Sequence, residues 1–172
     1  PIAQVRSALY PSSLHWGVGM TSHEIANCSY VADTWESLLK IRDTLELNRR
    51  ILFRGQSNSE WKLKSSLERS ADRYGIELKD LPKREWELVR EFKRKAHHFL
   101  TSPPASANTL EWMSIMQHHG APTRLIDWSY SFYVGVWMAC SGEGQELDDA
   151  GLWAVDQKWC SQSARRLIEK QH

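Results

Sequence analysis

Twelve residues, QHHGAPTRLIDW at 117–128, bring together two histidines, a glutamine, a threonine, an arginine, an aspartate and a tryptophan. Gly120 and Pro122 interrupt the stretch, so it cannot be one continuous helix. It is either a structural turn with unusual polarity or a turn that presents functional groups at the mouth of a pocket. Well before it lies ILFRGQ at 51–56, a short apolar run that delivers Arg54 near its C-terminal end. A guanidinium inside an apolar strand must be paired or must face a cavity, because burying a lone charge is very costly. Facing a cavity, it offers a planar fork for phosphate or carboxylate. Gly55 would let a ligand approach the backbone closely, and Gln56 adds an amide donor beside it. Arg124 and Asp127 stand in similar context. On a strand, positions 124 and 126 share one face and 125 and 127 the other, so each of the two needs its own partner. Asp127 against Arg54, leaving Arg124 free, is the economical arrangement, and a structural ion pair is the alternative for both arginines.

The remaining polar groups carry less. His118 and His119 are adjacent at a helix end and point in different directions, with no HExxH spacing, so no metal is expected. A protonated histidine is also simply favourable at a helix C-terminus. His97 and His98 have no constellation around them. There is no GxSxG, P-loop or dinucleotide GxGxxG motif. Cys28, Cys140 and Cys160 are odd in number and lack a CxxC pair, which points to free thiols in a reducing, cytoplasmic compartment. Cys140 lies in an apolar segment and is expected to pack rather than react.

Around these groups is an ordinary globular composition, 41% hydrophobic and 25% charged over 172 residues. Twenty-two Lys and Arg against 21 Asp and Glu give a net charge of +1. Broad nucleic-acid binding is therefore not supported, although a local basic patch remains open. No apolar run approaches the roughly 20 residues of a membrane span, and no secretory leader is recognisable. Nine tryptophans are expected mainly in the core or in groove walls. Pro1 at the start and the helix-like SARRLIEKQH at the end read as a piece of a longer protein, truncated at its C-terminal end.

The positioning elements follow from periodicity. Residues 1–32 read as an irregular arm with at most one short strand. Asp33 with Glu36 predicts a capping box for a helix ending near Asn48. A buried strand over 51–56 precedes a short helix through Arg73. Pro82 opens a helix through Leu100, with Trp86, Val89, Lys93 and Ala96 along one side. Its Glu85, Glu87, Arg90, Glu91 and Arg94 read as a solvated face. Asn108 with Glu111 caps a helix reaching His118 or His119, and Gly120 ends it. TRLIDW reads as extended, Ser129 or Ser131 caps an apolar helix expected to be fully buried, and GLWAVD is a strand before a last helix. The result is an α+β domain.

FRG at 53–55 followed by QHHGAPTRLIDW resembles the FRG domain family, in which the second motif reads like QHxGxPTRLLDWT. Gln117, His118, Gly120, Pro122, Thr123, Arg124, Leu125, Asp127 and Trp128 match it. Ser129 replaces threonine and keeps the hydroxyl, Ile126 replaces leucine, and His119 falls on the variable position. The resemblance covers about residues 33–157. The family occurs in bacterial and phage-related proteins. The strand-borne LFRG and TRLIDWSYSFYVGVWMAC are also similar in layout to ADP-ribosyltransferases.

That second resemblance implies an NAD-dependent effector domain of a toxin or phage-defence system. Arg54 would grip the NAD pyrophosphate. Gln56, His118 and Thr123 would orient the ribose, Gln117 would contribute to binding, Trp128 would stack on nicotinamide, and Ser129 would supply a hydroxyl. Asp127 would stabilise the developing oxocarbenium charge. The late-strand glutamate of those enzymes is not assignable; Glu143 and Glu146 have a loop context. A non-catalytic module that binds a phosphorylated ligand or nucleotide through Arg54 and Arg124 is the alternative.

Overall fold

In a computed structural model of the chain, residues 3–9, 26–47, 49–141 and 149–169 are described. The chain order begins with strands β1 (Ala3–Leu9) and β2 (Ala26–Ala32), helix α1 (Trp35–Glu46) and strand β3 (Ile51–Gln56). Helices α2 (Ser66–Tyr74), α3 (Leu81–Lys95), α4 (Thr109–His118) and α5 (Phe132–Cys140) follow. Strand β4 (Ala150–Asp156) and helix α6 (Gln157–Glu169) complete the α+β fold. The residues divide into a sheet unit, Pro1–Trp61 with Trp128–His172, and a helical unit, Lys62–Asp127.

The sheet unit holds four strands in the order β2-β1-β4-β3. β1 is antiparallel to β2 and parallel to β4, and β4 is antiparallel to β3. The expected irregular arm therefore gives way to two full strands, one of them internal to the sheet. Their sequences, AQVRSAL and ANCSYVA, are short mixtures of small and polar residues without strict alternation, so tertiary pairing rather than local pattern makes them strands. The core gathers Val5, Leu38, Leu45, Ile51, Phe53, Phe132, Leu152 and Ala154. The α1 cap lies one residue later than expected. Thr34 Oγ1 accepts from the Ser37 amide and Ser37 Oγ accepts from the Thr34 amide, each at 3.1 Å.

Gly55 answers a different need from the one its sequence context implies. A Cβ there would lie 2.1 Å from the Gly135 carbonyl oxygen and 2.3 Å from the Ala139 nitrogen. It is helix α5, not a ligand, that approaches the strand backbone. The nine-residue α5 was expected to be buried all round, but only Phe132, Gly135 and Ala139 are buried. Tyr133, Val134, Trp137 and Cys140 are exposed, because a helix lying this close on one sheet covers a single stripe. Ser131 caps α5 by accepting from the Val134 amide, and Asp156 Oδ1 accepts from the Lys158 amide at 2.7 Å where β4 turns into α6.

In the helical unit Ser65 and Glu68 form the capping box of α2, and Gly75 ends that helix with φ +65°. Pro82 sits in the first turn of α3, as its missing amide proton allows. Val89, Met113 and Met116 make the core, with Leu88, Phe92, Ala121 and Leu125 packed on it. The face of α3 that turns inward is rotated from the expected one. Glu85 is buried at 4% exposure while Trp86 is 61% exposed, so Glu85 does not belong to a solvated face.

Candidate functional site

The second motif is organised around Thr123, which is fully buried. Its amide donates to Ser66 Oγ at 2.9 Å, and its carbonyl accepts from the Leu67 amide at 3.1 Å. The first turn of α2 thus supplies the backbone partners that a strand ladder would otherwise provide. Accordingly 121–128 joins no strand ladder. Gly120, with φ +80°, permits the reversal after α4, and its amide donates to the Gln117 carbonyl at 2.9 Å.

The side chains then form a single hydrogen-bonded chain. The Leu125 amide donates to Thr123 Oγ1 at 3.2 Å, Thr123 Oγ1 donates to Gln117 Oε1 at 2.5 Å, and Gln117 Nε2 donates to Asp127 Oδ1 at 2.5 Å. Each link fixes the next. The hydroxyl proton settles the orientation of the Gln117 amide, and the amide then holds the exposed Asp127 carboxylate. Such chains polarise cooperatively in a partly buried setting. The polarity of the motif is largely consumed in holding the motif's own shape.

Arg124 is not left over. Its guanidinium pairs with the carboxylate of Glu85, and its amide donates to Glu85 Oε1 at 3.2 Å. The hydrogen bond to Glu85 raises the arginine's pKa, against a smaller opposing effect of burial. The arginine side chain is 58% exposed and the glutamate side chain 6%, so the pair is a buried carboxylate lidded by a surface cation. As expected, Arg124 and Asp127 take separate partners. Glu85 is the residue that sequence reasoning missed. Its signal was its place four residues before Val89, on the same side of α3.

In the sheet unit, Arg54 is half-buried on β3 and lies opposite Trp153 in the antiparallel ladder. Gln56 is buried, and its Oε1 accepts from the Trp153 indole Nε1 at 2.5 Å. Gln56 therefore fixes the tryptophan. The Arg54 Nε is buried without a hydrogen bond, while the residue is not without a partner. Because strand side chains alternate, Arg54, Gln56 and Trp153 stand on the sheet face away from α5, which packs on Phe53 and Leu152. Ser129 bridges to Phe53 through paired backbone hydrogen bonds of 2.7 and 2.9 Å, and its hydroxyl accepts from the Ser131 amide at 3.0 Å. Trp128 beside it is half-buried.

The site candidates therefore fall into two sets. Arg54, Gln56, Trp128 and Ser129 belong to the sheet unit, and Gln117, His118, Thr123, Arg124 and Asp127 to the helical unit. His118 is exposed at the end of α4, and His119 packs near Phe99 with ring centroids 5.0 Å apart. A cleft of about 550 Å³ is lined by Glu46, Arg49, Arg50, Ile51 and Tyr130. An apolar groove of about 500 Å³ runs along Leu67, Ala71, Tyr74, Leu88 and Pro122. Among the described residues no group of three or more His, Cys, Asp or Glu could hold a metal ion, and no helix is long and apolar enough to cross a membrane.

The sequence profile of the FRG domain matches residues 49–148, more than half of the chain. The chain belongs to the FRG domain family. No curated protein and no solved structure matches it.

Proposed function

We propose that this FRG domain binds a phosphate-bearing ligand of nucleotide type on the β3–β4 face, with NAD the first candidate and Arg54 the phosphate grip. The observation that carries this reading is the ladder pair of Arg54 and Trp153, with the indole held by Gln56. A guanidinium donates charge-assisted bonds to phosphate, and a fixed aromatic ring beside it offers a stacking surface. Both stand on rigid strand positions rather than on a loop, which favours a preorganised site.

In the enzymatic form, the bond between ribose and nicotinamide breaks and its electron pair leaves on the nicotinamide nitrogen. An acceptor nucleophile bonds to the ribose carbon and loses its proton to a base. Such a reaction fits an effector acting in toxicity or phage defence. The non-catalytic form is favoured by a separate observation. Thr123, assigned to the ribose, and Asp127, assigned to the oxocarbenium charge, already bond through Gln117, so groups that the transfer reaction needs have partners. The Glu85 pair occupies Arg124 as well, which leaves Arg54 as the phosphate grip of the module. Nicotinamide release from NAD separates the forms. Release that Arg54→Gln abolishes supports transfer chemistry, and binding without release supports a module. Release that survives both His118→Gln and Asp127→Asn removes those two residues from the chemistry.

A further inference from the structure

Helix α3 carries an exposed stripe that the candidate site does not use. Lys83, Trp86, Arg90 and Arg94 are all exposed and recur at intervals of three, four and four residues, so they lie along one side of the helix. Trp86 is 61% exposed, an unusual position for so large an apolar ring. The Arg90 guanidinium carbon sits 4.8 Å from the Trp86 ring centroid. Of the three carboxylates of this helix, one is turned inward and two border the stripe. Glu85 is buried, Glu87 is 3.1 Å from Arg84, and Glu91 sits on the flank, 3.1 Å from Arg94 and 3.8 Å from Arg90. Exposed pairs of this kind hold weakly and exchange readily for a phosphate. Exposed His97 and His98 continue beyond the helix end.

We infer that this face of α3 binds single-stranded nucleic acid, with a base stacked at Trp86 and phosphates taken by Lys83, Arg90 and Arg94. The alternation of cations with a solvent-facing indole is what selects this partner. An acidic protein would use the cations and have no need of the ring, and a duplex would hide its base faces. The inference does not depend on the ligand proposed for Arg54. It also agrees with a near-neutral chain, since a local excess of cations along one helix does not require a basic chain.

The test is fluorescence anisotropy of labelled oligo-dT and oligo-rU with the whole chain at low salt. Binding is expected, weakening steeply as salt rises. Trp86→Ala should lose about tenfold in affinity through the missing stack. The double variant Arg90→Gln/Arg94→Gln should lose more and show a shallower salt dependence. All these positions are on the surface, and an unchanged circular dichroism spectrum confirms folded variants. Absence of binding at low salt would overturn the inference. So would affinity that neither variant changes, or polyglutamate competing as well as the oligonucleotide.

Discussion

Replacing Thr123 with valine keeps the shape of a fully buried side chain and removes only its hydroxyl. Two hydrogen bonds go with it, the 2.5 Å donation to Gln117 Oε1 and the 3.2 Å acceptance from the Leu125 amide. The backbone bonds of Thr123 to Ser66 and Leu67 remain. Leaving a buried donor or acceptor unsatisfied costs about 1–3 kcal/mol. Gln117 and Leu125 are both half-buried, so water partly compensates and the low end applies to each. The sum is about 2 kcal/mol. For a chain of this size that corresponds to a fall of about 4–8 °C in melting temperature. Thr123→Ser is the control. It keeps the hydroxyl and loses one buried methyl group, a change of about 1 kcal/mol. Thermal melts of the three proteins, followed by circular dichroism, should therefore order wild type above serine above valine. If valine were as stable as serine, or more so, the hydrogen-bonded chain would not be what holds the motif.

Gly55→Ala should be among the most damaging single-methyl additions in the chain. Its Cβ would meet backbone atoms of α5 at 2.1, 2.3 and 2.8 Å, and backbone cannot rotate away. About 3 kcal/mol is expected, read as a loss of soluble protein or a large drop in melting temperature. Glu68 accepts from the Ser65 amide and hydroxyl at 2.7 Å each, and these bonds hold its carboxyl below the usual glutamate range. The unfolded chain binds its proton more readily, so this contribution is present above the ordinary carboxylate pKa and fades as pH falls through the folded value. Glu68→Gln should flatten that part of the acid stability curve. Burial, then the nearby Asp156 charge, pushes the Cys160 thiol up, whereas Cys140 is exposed. Iodoacetamide at mildly alkaline pH should label Cys140 well before Cys160, as peptide mass analysis would show.

What the sequence made legible was local. The strand at 51–56, the first-turn Pro82, the Asn108 cap and the break at Gly120 each follow from the chemistry of one or two residues, and each is present. The FRG motifs identified the family for the same reason. What stayed hidden depends on partners distant in the chain. β1 and β2 exist through pairing with each other and with β4. Glu85 is buried because Arg124 reaches it from 39 residues away. Gly55 looked like room for a ligand until α5 was found to fill that space. The polar density of 117–128 suggested ligands, yet the side chains of Thr123, Gln117 and Asp127 bond to one another in series.

The most direct test of Arg54 as a phosphate grip is calorimetric titration of NAD and ADP-ribose into the wild-type chain, Arg54→Lys and Arg54→Gln, each confirmed as folded by its melting temperature. Binding to the wild type should weaken in the lysine variant, which keeps the charge but loses the planar fork. It should fall by about tenfold to a hundredfold in the glutamine variant, the equivalent of a charge-assisted hydrogen bond of about 1.5–3 kcal/mol. No binding to the wild type, or equal binding to all three folded proteins, would contradict it.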